Sequence, residues 1–157
     1  MIQNYLLVFF VSMVPLIELR LAMPIAMGMD LPYFPALIVC VLGNMLPVPF
    51  IYFFARKVLI WGADKAYIGK VCRFFLTKGE RAGKKLTART GRFGAFLALM
   101  LFVGIPVPGT GAWTGTLAAS FLNMGIRSTA LAVSLGVILA GTIMALGSLG
   151  IFHIFGL

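Results

Sequence analysis

The sequence predicts an all-α integral membrane protein: an inverted repeat of re-entrant helical hairpin plus transmembrane helix, with a basic cytoplasmic amphipathic segment between the halves. Three observations carry this expectation. Of 157 residues, 61% are hydrophobic and only 11% charged, with mean hydropathy +1.05, which leaves too little polar surface for a soluble domain. Eleven of the thirteen Lys and Arg residues fall between Arg56 and Arg92, in one block flanked by apolar segments. Finally, the order short apolar run, proline break, short apolar run, turn, long apolar run occurs twice.

Residues 5–13 form an apolar run too short for a bilayer core of roughly 30 Å, which needs about 20 helical residues. Pro15 interrupts it, Glu18-Leu-Arg20 follows, residues 21–29 are apolar again, and Asp30-Leu-Pro32 closes the unit. A re-entrant hairpin accommodates this pattern, because Glu and Arg are each costly at mid-bilayer unless buried against protein, water or each other. A single kinked span is the alternative. Residues 33–55 are long enough to cross, with Pro35 in the first turn. Pro47 and Pro49, preceded by Gly43-Asn44, predict a kink or an unwound turn whose freed backbone groups Asn44 can satisfy.

The basic block at 56–92 belongs in the cytoplasm, beside anionic headgroups. Within it Tyr67, Ile68, Val71, Cys72 and Phe75 recur at helical spacing, with Lys65, Lys70 and Arg73 largely opposite. That is the pattern of an amphipathic helix on a membrane surface. Residues 78–92 are polar and carry three glycines, as a loop or a second surface helix would. Residues 93–103 are a second short apolar run, leading into Gly104-Ile-Pro-Val-Pro-Gly-Thr-Gly-Ala-Trp-Thr. Proline lacks an N–H and glycine carries an entropic penalty, so 106–111 should not be continuous helix. Asn123-Met-Gly125 turns the chain, and 129–155 is the second long run. Ala132, Gly136 and Ala140 there are spaced by four, as are Gly141 and Ala145, a face that suits close helix packing within this chain or against another. His153 falls near its end, at an interfacial position.

Sliding the chain by 93 positions superposes Val14-Pro15 on Val107-Pro108 and Leu42-Gly43 on Leu135-Gly136, with Leu6, Phe9, Ala26 and Leu46 also matched. One membrane domain results: repeat 1 at about 1–57, a basic linker at about 58–92, and repeat 2 at about 93–157. If the first span ends at the cytoplasmic block, the second runs the opposite way, and the hairpins enter from opposite sides. The tips then meet near the midplane, with Glu18 and Arg20 facing Thr110, Trp113 and Thr114. No secretory signal is expected, because the start is not basic and no small-residue cleavage site follows.

Unwound backbone is tolerated at membrane depth only where protein or water covers it, and transporters often build sites there. The candidate substrate or ion path is therefore Glu18, Arg20, Pro24, Asn44, Pro106, Pro108, Gly109, Thr110, Gly111, Trp113, Thr114 and Arg127. Glu18 is either a coupling carboxylate, since burial favours its protonated form, or a static partner of Arg20 or Arg127. Arg20 binds an anionic group or neutralises Glu18. Thr110, Thr114 and the backbone at Gly109 and Gly111 can ligate a polar group, and Trp113 can stack on a substrate or pack.

Pro15-Leu-Ile-Glu18-Leu-Arg20 with Pro24, and the stretch from Gly104 through Pro108 to Trp113 and Thr114, resemble the small multidrug export family over nearly the whole chain. That family is itself similar to the DedA superfamily. The resemblance implies an inverted pair of re-entrant hairpins, each followed by a membrane helix. The DedA likeness further implies handling of lipid carriers, such as flipping polyprenyl phosphate, linked to a proton gradient. The paired arginines of the second DedA hairpin are absent here; Trp113 and threonines occupy that region.

The functional expectation is a small transporter with an alternating-access site between the tips, with proton coupling through Glu18 as one version. A flippase or scramblase for phospholipid or polyprenyl phosphate is the alternative, and a non-transporting assembly factor a further one. The sequence offers no nucleophile–base pair, metal cluster or phosphate loop, so neither an enzyme nor a cofactor is expected. Cys40 and Cys72 lie in dissimilar surroundings without metal-ligand spacing. The net charge of +9 belongs to the basic block, which carries no nucleic-acid module. Expected partners are membrane lipids, anionic headgroups at 56–92, and further copies of the chain, since two full spans make a thin monomer. The location expected is the cytoplasmic membrane, multi-pass.

Overall fold

The computed structural model describes residues 2–15, 17–107 and 110–155, without the side chains at 75, 79, 82, 83, 86 and 149–155. It is all-helical over these residues. In chain order the helices are α1 (Ile2–Met13), α2 (Glu18–Gly28), α3 (Tyr33–Met45), α4 (Val48–Ala63), α5 (Gly69–Gly104), α6 (Ala112–Phe121) and α7 (Ile126–Phe155).

Local chemistry sets the boundaries. α1 stops before Pro15, which disfavours the helical region for Val14. α2 carries Pro24 in its interior, a substitution that removes the hydrogen bond to the Arg20 carbonyl yet leaves the helix intact. Its end is a left-handed turn: Asp30 has φ +55°, and the Leu31 amide returns to the Ala26 carbonyl at 3.1 Å. α6 ends the same way. Asn123 has φ +57°, and the Met124 amide returns to the Ala119 carbonyl at 3.0 Å. Asp30 and Asn123 lie 93 positions apart, as do Ala26 and Ala119.

Pro47 and Pro49 perturb the first long segment without unwinding it. Leu46 and Pro47 keep right-handed helical dihedrals, so α3 and α4 form one run, Tyr33–Ala63, long and apolar enough to cross a membrane. Ile126–Ser148 is the second such run. The first continues past residue 55 because Arg56 and Lys57 are good helix formers whose long stems reach outward from an apolar helix. The polar stretch at 78–92 is helix as well, not loop. α5 is interrupted only at Gly91 (φ 70°, ψ 179°), which separates a polar segment from the apolar one that ends at Gly104. Among the described residues of the connection, 105–107 and 110–111, the backbone is non-helical, as the Pro and Gly content of that stretch requires.

The two runs are antiparallel. Tyr33 and Thr142 hydroxyls meet at 3.1 Å, the Ser134 hydroxyl contacts Met45 Sδ at 3.5 Å, and the Tyr52 hydroxyl donates to the Met124 carbonyl. As the number rises on one run it falls on the other. α1 packs on α2 and α3, the apolar part of α5 on α6 and α7, α2 on α7, and α6 on α4. Val8, Leu19, Met23, Val48, Val103, Val133 and Val137 fill the common core. Gly43 and Gly136, also 93 apart, hold equivalent places: a Cβ on either would press a carbonyl of a neighbouring helix, Phe9 in α1 or Met100 in the apolar part of α5. The small-residue face of α7 is thus spent within this chain, with Gly141 lying against Leu19 and Leu37. Outward, Phe34, Ile38, Leu42, Leu46, Phe50 and Phe54 form an exposed apolar stripe of the kind that faces lipid.

Candidate functional site

The connection between α5 and α6 leaves two sets of orphan backbone groups: the last carbonyls of α5 and the first amides of α6. Glu18 and Arg20, two residues apart at the start of α2, serve one set each. The Glu18 carboxylate accepts hydrogen bonds from the Ala112 amide at 3.2 Å and the Trp113 amide at 3.1 Å. It sits at the positive end of α6 with the side chain buried. The Arg20 guanidinium donates to the Val107 carbonyl, to the Ile105 carbonyl at 3.4 Å and to Thr110 Oγ1 at 2.7 Å. Thr110 Oγ1 in turn lies 2.9 Å from both of those carbonyls. An anion at a helix start and a cation at a helix end are each the favourable sign.

Two backbone features make this fit. Glu18 has φ +51°, a left-handed conformation uncommon for a residue with a Cβ and costing about 1–3 kcal/mol. Gly111 is buried where a Cβ would overlap the Glu18 carboxylate, so only glycine admits the acid. Thr114 completes the α6 start, its Oγ1 accepting from the Gly111 amide at 2.8 Å.

A cavity of about 170 Å³ opens beside this seam, lined by Pro15, Glu18, Arg20, Trp113, Thr114 and others. The Trp113 indole N–H is buried without a partner. On the inner side lies a void of about 10 Å³, touched by Glu18, Leu19, Asn44, Gly111, Ala112 and Val137. Asn44 is 1% exposed and its Oδ1 has no hydrogen-bond partner. A space of that size holds about one water.

The structure therefore brings Glu18, Arg20, Asn44, Thr110, Gly111, Trp113 and Thr114 together. Pro106 lies half-buried in the same connection. Pro24 lies on α2 and lines neither cavity. Arg127 is exposed in the first turn of α7, at the far end of α6, and so pairs with nothing at the seam. Pro108 and Gly109 fall outside the described residues, as does the side chain of His153. Glu18 is held by amides rather than by Arg20 or Arg127. The Gly111 amide is taken by Thr114, and the amides that hold a polar group, the chain's own Glu18 carboxylate, are those of Ala112 and Trp113. The carbonyls of Ile105 and Val107 were not foreseeable as named partners; only the presence of a helix break signalled that such groups would exist. Among the described residues no cluster of His, Cys, Asp and Glu is suited to a metal ion.

Residues 18–143 match the family model described as "putative small multi-drug export protein", and the chain belongs to that family. The matched region begins at Glu18 and contains the whole seam. With two apolar runs long enough to cross, family membership identifies a membrane protein of a transporter-type family. No curated protein and no solved structure matches the chain.

Proposed function

We propose that this chain is a small-molecule transporter of the cytoplasmic membrane, with its alternating-access site at the seam between the Glu18–Arg20 segment and the α5–α6 break. The observation that carries this reading is the Glu18 carboxylate, buried at φ +51° and held by the first amides of α6. A strained, desolvated acid is retained where a simpler cap would have sufficed, and such strain gathers at switching sites.

The two helix pairs are read as inverted re-entrant hairpins. α1, α2 and α6 have 12, 11 and 10 residues, each reaching about 15–18 Å, roughly half the apolar thickness. Glu18 and Gly111, Leu19 and Ala112, and Asn44 and Val137 are pairs 93 positions apart that meet around one void. Equivalent residues touch each other only near the axis that relates two repeats. With antiparallel long runs, that axis lies in the membrane plane, the arrangement in which inverted halves rock about a central site. The basic block at 56–92 is assigned to the cytoplasmic side by its charge.

Opening the seam requires Glu18 to leave the α6 amides and Arg20 to leave the α5 carbonyls. A proton on Glu18 removes the charge that the α6 dipole holds, so protonation favours release. The 170 Å³ cavity, lined by Trp113 and Thr114 beside the Glu18–Arg20 segment, then takes a small substrate.

The test is flux of a lipophilic fluorescent amine in proteoliposomes under an imposed pH gradient. Wild-type flux that follows the gradient, and is lost in Glu18→Ala, supports the reading. Gradient-driven flux that survives both Glu18→Gln and Glu18→Ala sinks the coupling role. Transfer of labelled phospholipid between leaflets without amine flux would favour a flippase, and no flux of either kind an assembly factor.

A further inference from the structure

We infer a second, separate binding site: a phosphate-bearing anion sits in the basic recess between the polar part of α5 and the α6–α7 turn. Two adjoining depressions there, of about 630 and 500 Å³, share Thr87, Leu122 and Asn123. Both fall within the roughly 300–1,000 Å³ of ligand sites. Arg92 and Arg127 line the smaller one, with no acidic residue on its wall. Lys84 lines the larger, where Glu80 is the single carboxylate.

The cations come from separate elements. Arg92 follows the Gly91 break in α5, and Arg127 lies in the first turn of α7, which contains no acidic residue. A cation at the positive end of a helix is the unfavourable sign, and two arginines around one recess repel each other. The chain holds only four acidic residues, and Glu18 is already committed to the α6 start. Neither Arg92 nor Arg127 forms an ion pair among the described residues. A bound anion offsets both unfavourable terms together: the mutual repulsion and the cation at the positive end of α7.

The wall is held from behind. The Arg56 side chain donates to Asn123 Oδ1, the Tyr52 hydroxyl to the Met124 carbonyl, and the Ser120 hydroxyl to the Tyr52 carbonyl at 3.2 Å. The α6–α7 turn is thereby fixed to α4, and Asn123 keeps its left-handed backbone. Thr87 of α5 and Ser128 of α7 line the recess as well and carry neutral hydroxyl donors. Two arginines and two hydroxyl residues around one recess suit the oxygens of a phosphate ester, from a lipid headgroup or from a soluble solute.

This site stands apart from the seam, and its test reads binding at equilibrium rather than flux. The protein in phosphatidylcholine nanodiscs is examined by native mass spectrometry with added phosphatidylglycerol or with soluble glycerol phosphate. Retention of either ligand is expected to fall about tenfold or more in R92A/R127A, the loss expected for charge-assisted hydrogen bonds. Thr87→Trp, an exposed position that fills the recess with every charge intact, should block it as well. Phosphatidylglycerol retained without glycerol phosphate identifies a lipid headgroup; glycerol phosphate retained identifies a soluble ester. Wild-type retention in both variants overturns the proposal. So does an equal loss in K65Q/K70Q, which removes the same charge outside the recess.

Discussion

Glu18 and Gly111 occupy complementary halves of one space: the carboxylate fills the volume that any Cβ at residue 111 would claim. Gly111→Ala should therefore displace Glu18 from the Ala112 and Trp113 amides. Overpacking of this kind costs about 1–3 kcal/mol. The informative variant is the double, G111A/E18A. Removing the carboxylate vacates the space the methyl needs, so the double variant should be less destabilised than the two singles summed. Thermal unfolding of the four proteins in detergent measures this coupling, and strict additivity would show that the two residues do not share the space.

Glu18→Gln and Glu18→Ala should differ in stability for a related reason. Glutamine keeps one acceptor oxygen for the α6 amides, but its NH2 cannot accept from the second, so it loses one of the two bonds together with the charge–dipole part, about 0.3–2 kcal/mol. Alanine leaves two buried amides unpaired, at about 1–3 kcal/mol each. Unfolding midpoints should therefore rank wild type, then Gln, then Ala. An Ala variant as stable as Gln would mean that water reaches those amides.

Much of this arrangement was legible in the sequence, for physical reasons that differ by element. Proline and glycine act through their own backbone, so the break before Ala112 and the stop at Val14-Pro15 could be read directly. The long runs declared themselves by apolar length, and Leu42-Gly43 against Leu135-Gly136 marked the close approach later found at both glycines. What resisted reading was pairing to backbone. The amides of Ala112 and Trp113 and the carbonyls of Ile105 and Val107 carry no residue identity, so Glu18 and Arg20 were matched to side chains instead. Arg127 was misplaced because α6 interposes about 15 Å between the seam and the next turn. The polar half of α5 read as loop or helix because its glycines weaken the helix, while only Gly91 breaks it.

Arg20→Lys should not rescue Arg20. The guanidinium reaches two carbonyls and the Thr110 hydroxyl from one planar group, whereas an ammonium is a point charge that cannot reproduce that fork. Thr110→Ser should retain near wild-type stability and Thr110→Val lose about 1 kcal/mol, since only the first keeps the oxygen. Proteolysis across 105–111 reads out loosening of the connection. Protection in R20K equal to wild type would reduce Arg20 to a simple counter-charge.

Gly43→Val and Gly136→Val test the relation between the halves. Each places a branched side chain against a carbonyl of an adjacent helix, Phe9 in α1 or Met100 in α5, which cannot move aside as a side-chain tip would. Each should destabilise by about 1–3 kcal/mol or more, and by similar amounts if the positions are equivalent. The exposed Gly125, with open space around its Cβ direction, provides the control and should tolerate alanine. A tolerated valine at only one of the pair would break the equivalence.

Asn44 supplies the sharpest separation of stability from activity. Its Oδ1 is buried without a partner beside the void that Glu18 also lines, and an unpaired buried acceptor costs about 1–3 kcal/mol. Leucine has nearly the same volume and no polar atom, so Asn44→Leu should fold as well as wild type or better. If Asn44 were there only to pack, nothing would be lost. If instead its Oδ1 accepts a hydrogen bond from the protonated Glu18 carboxyl, directly or through one water in the 10 Å³ void, the leucine variant should keep its fold while gradient-driven flux falls. Flux and unfolding measured on the same preparations decide the matter, and a leucine variant with wild-type flux would remove Asn44 from the mechanism.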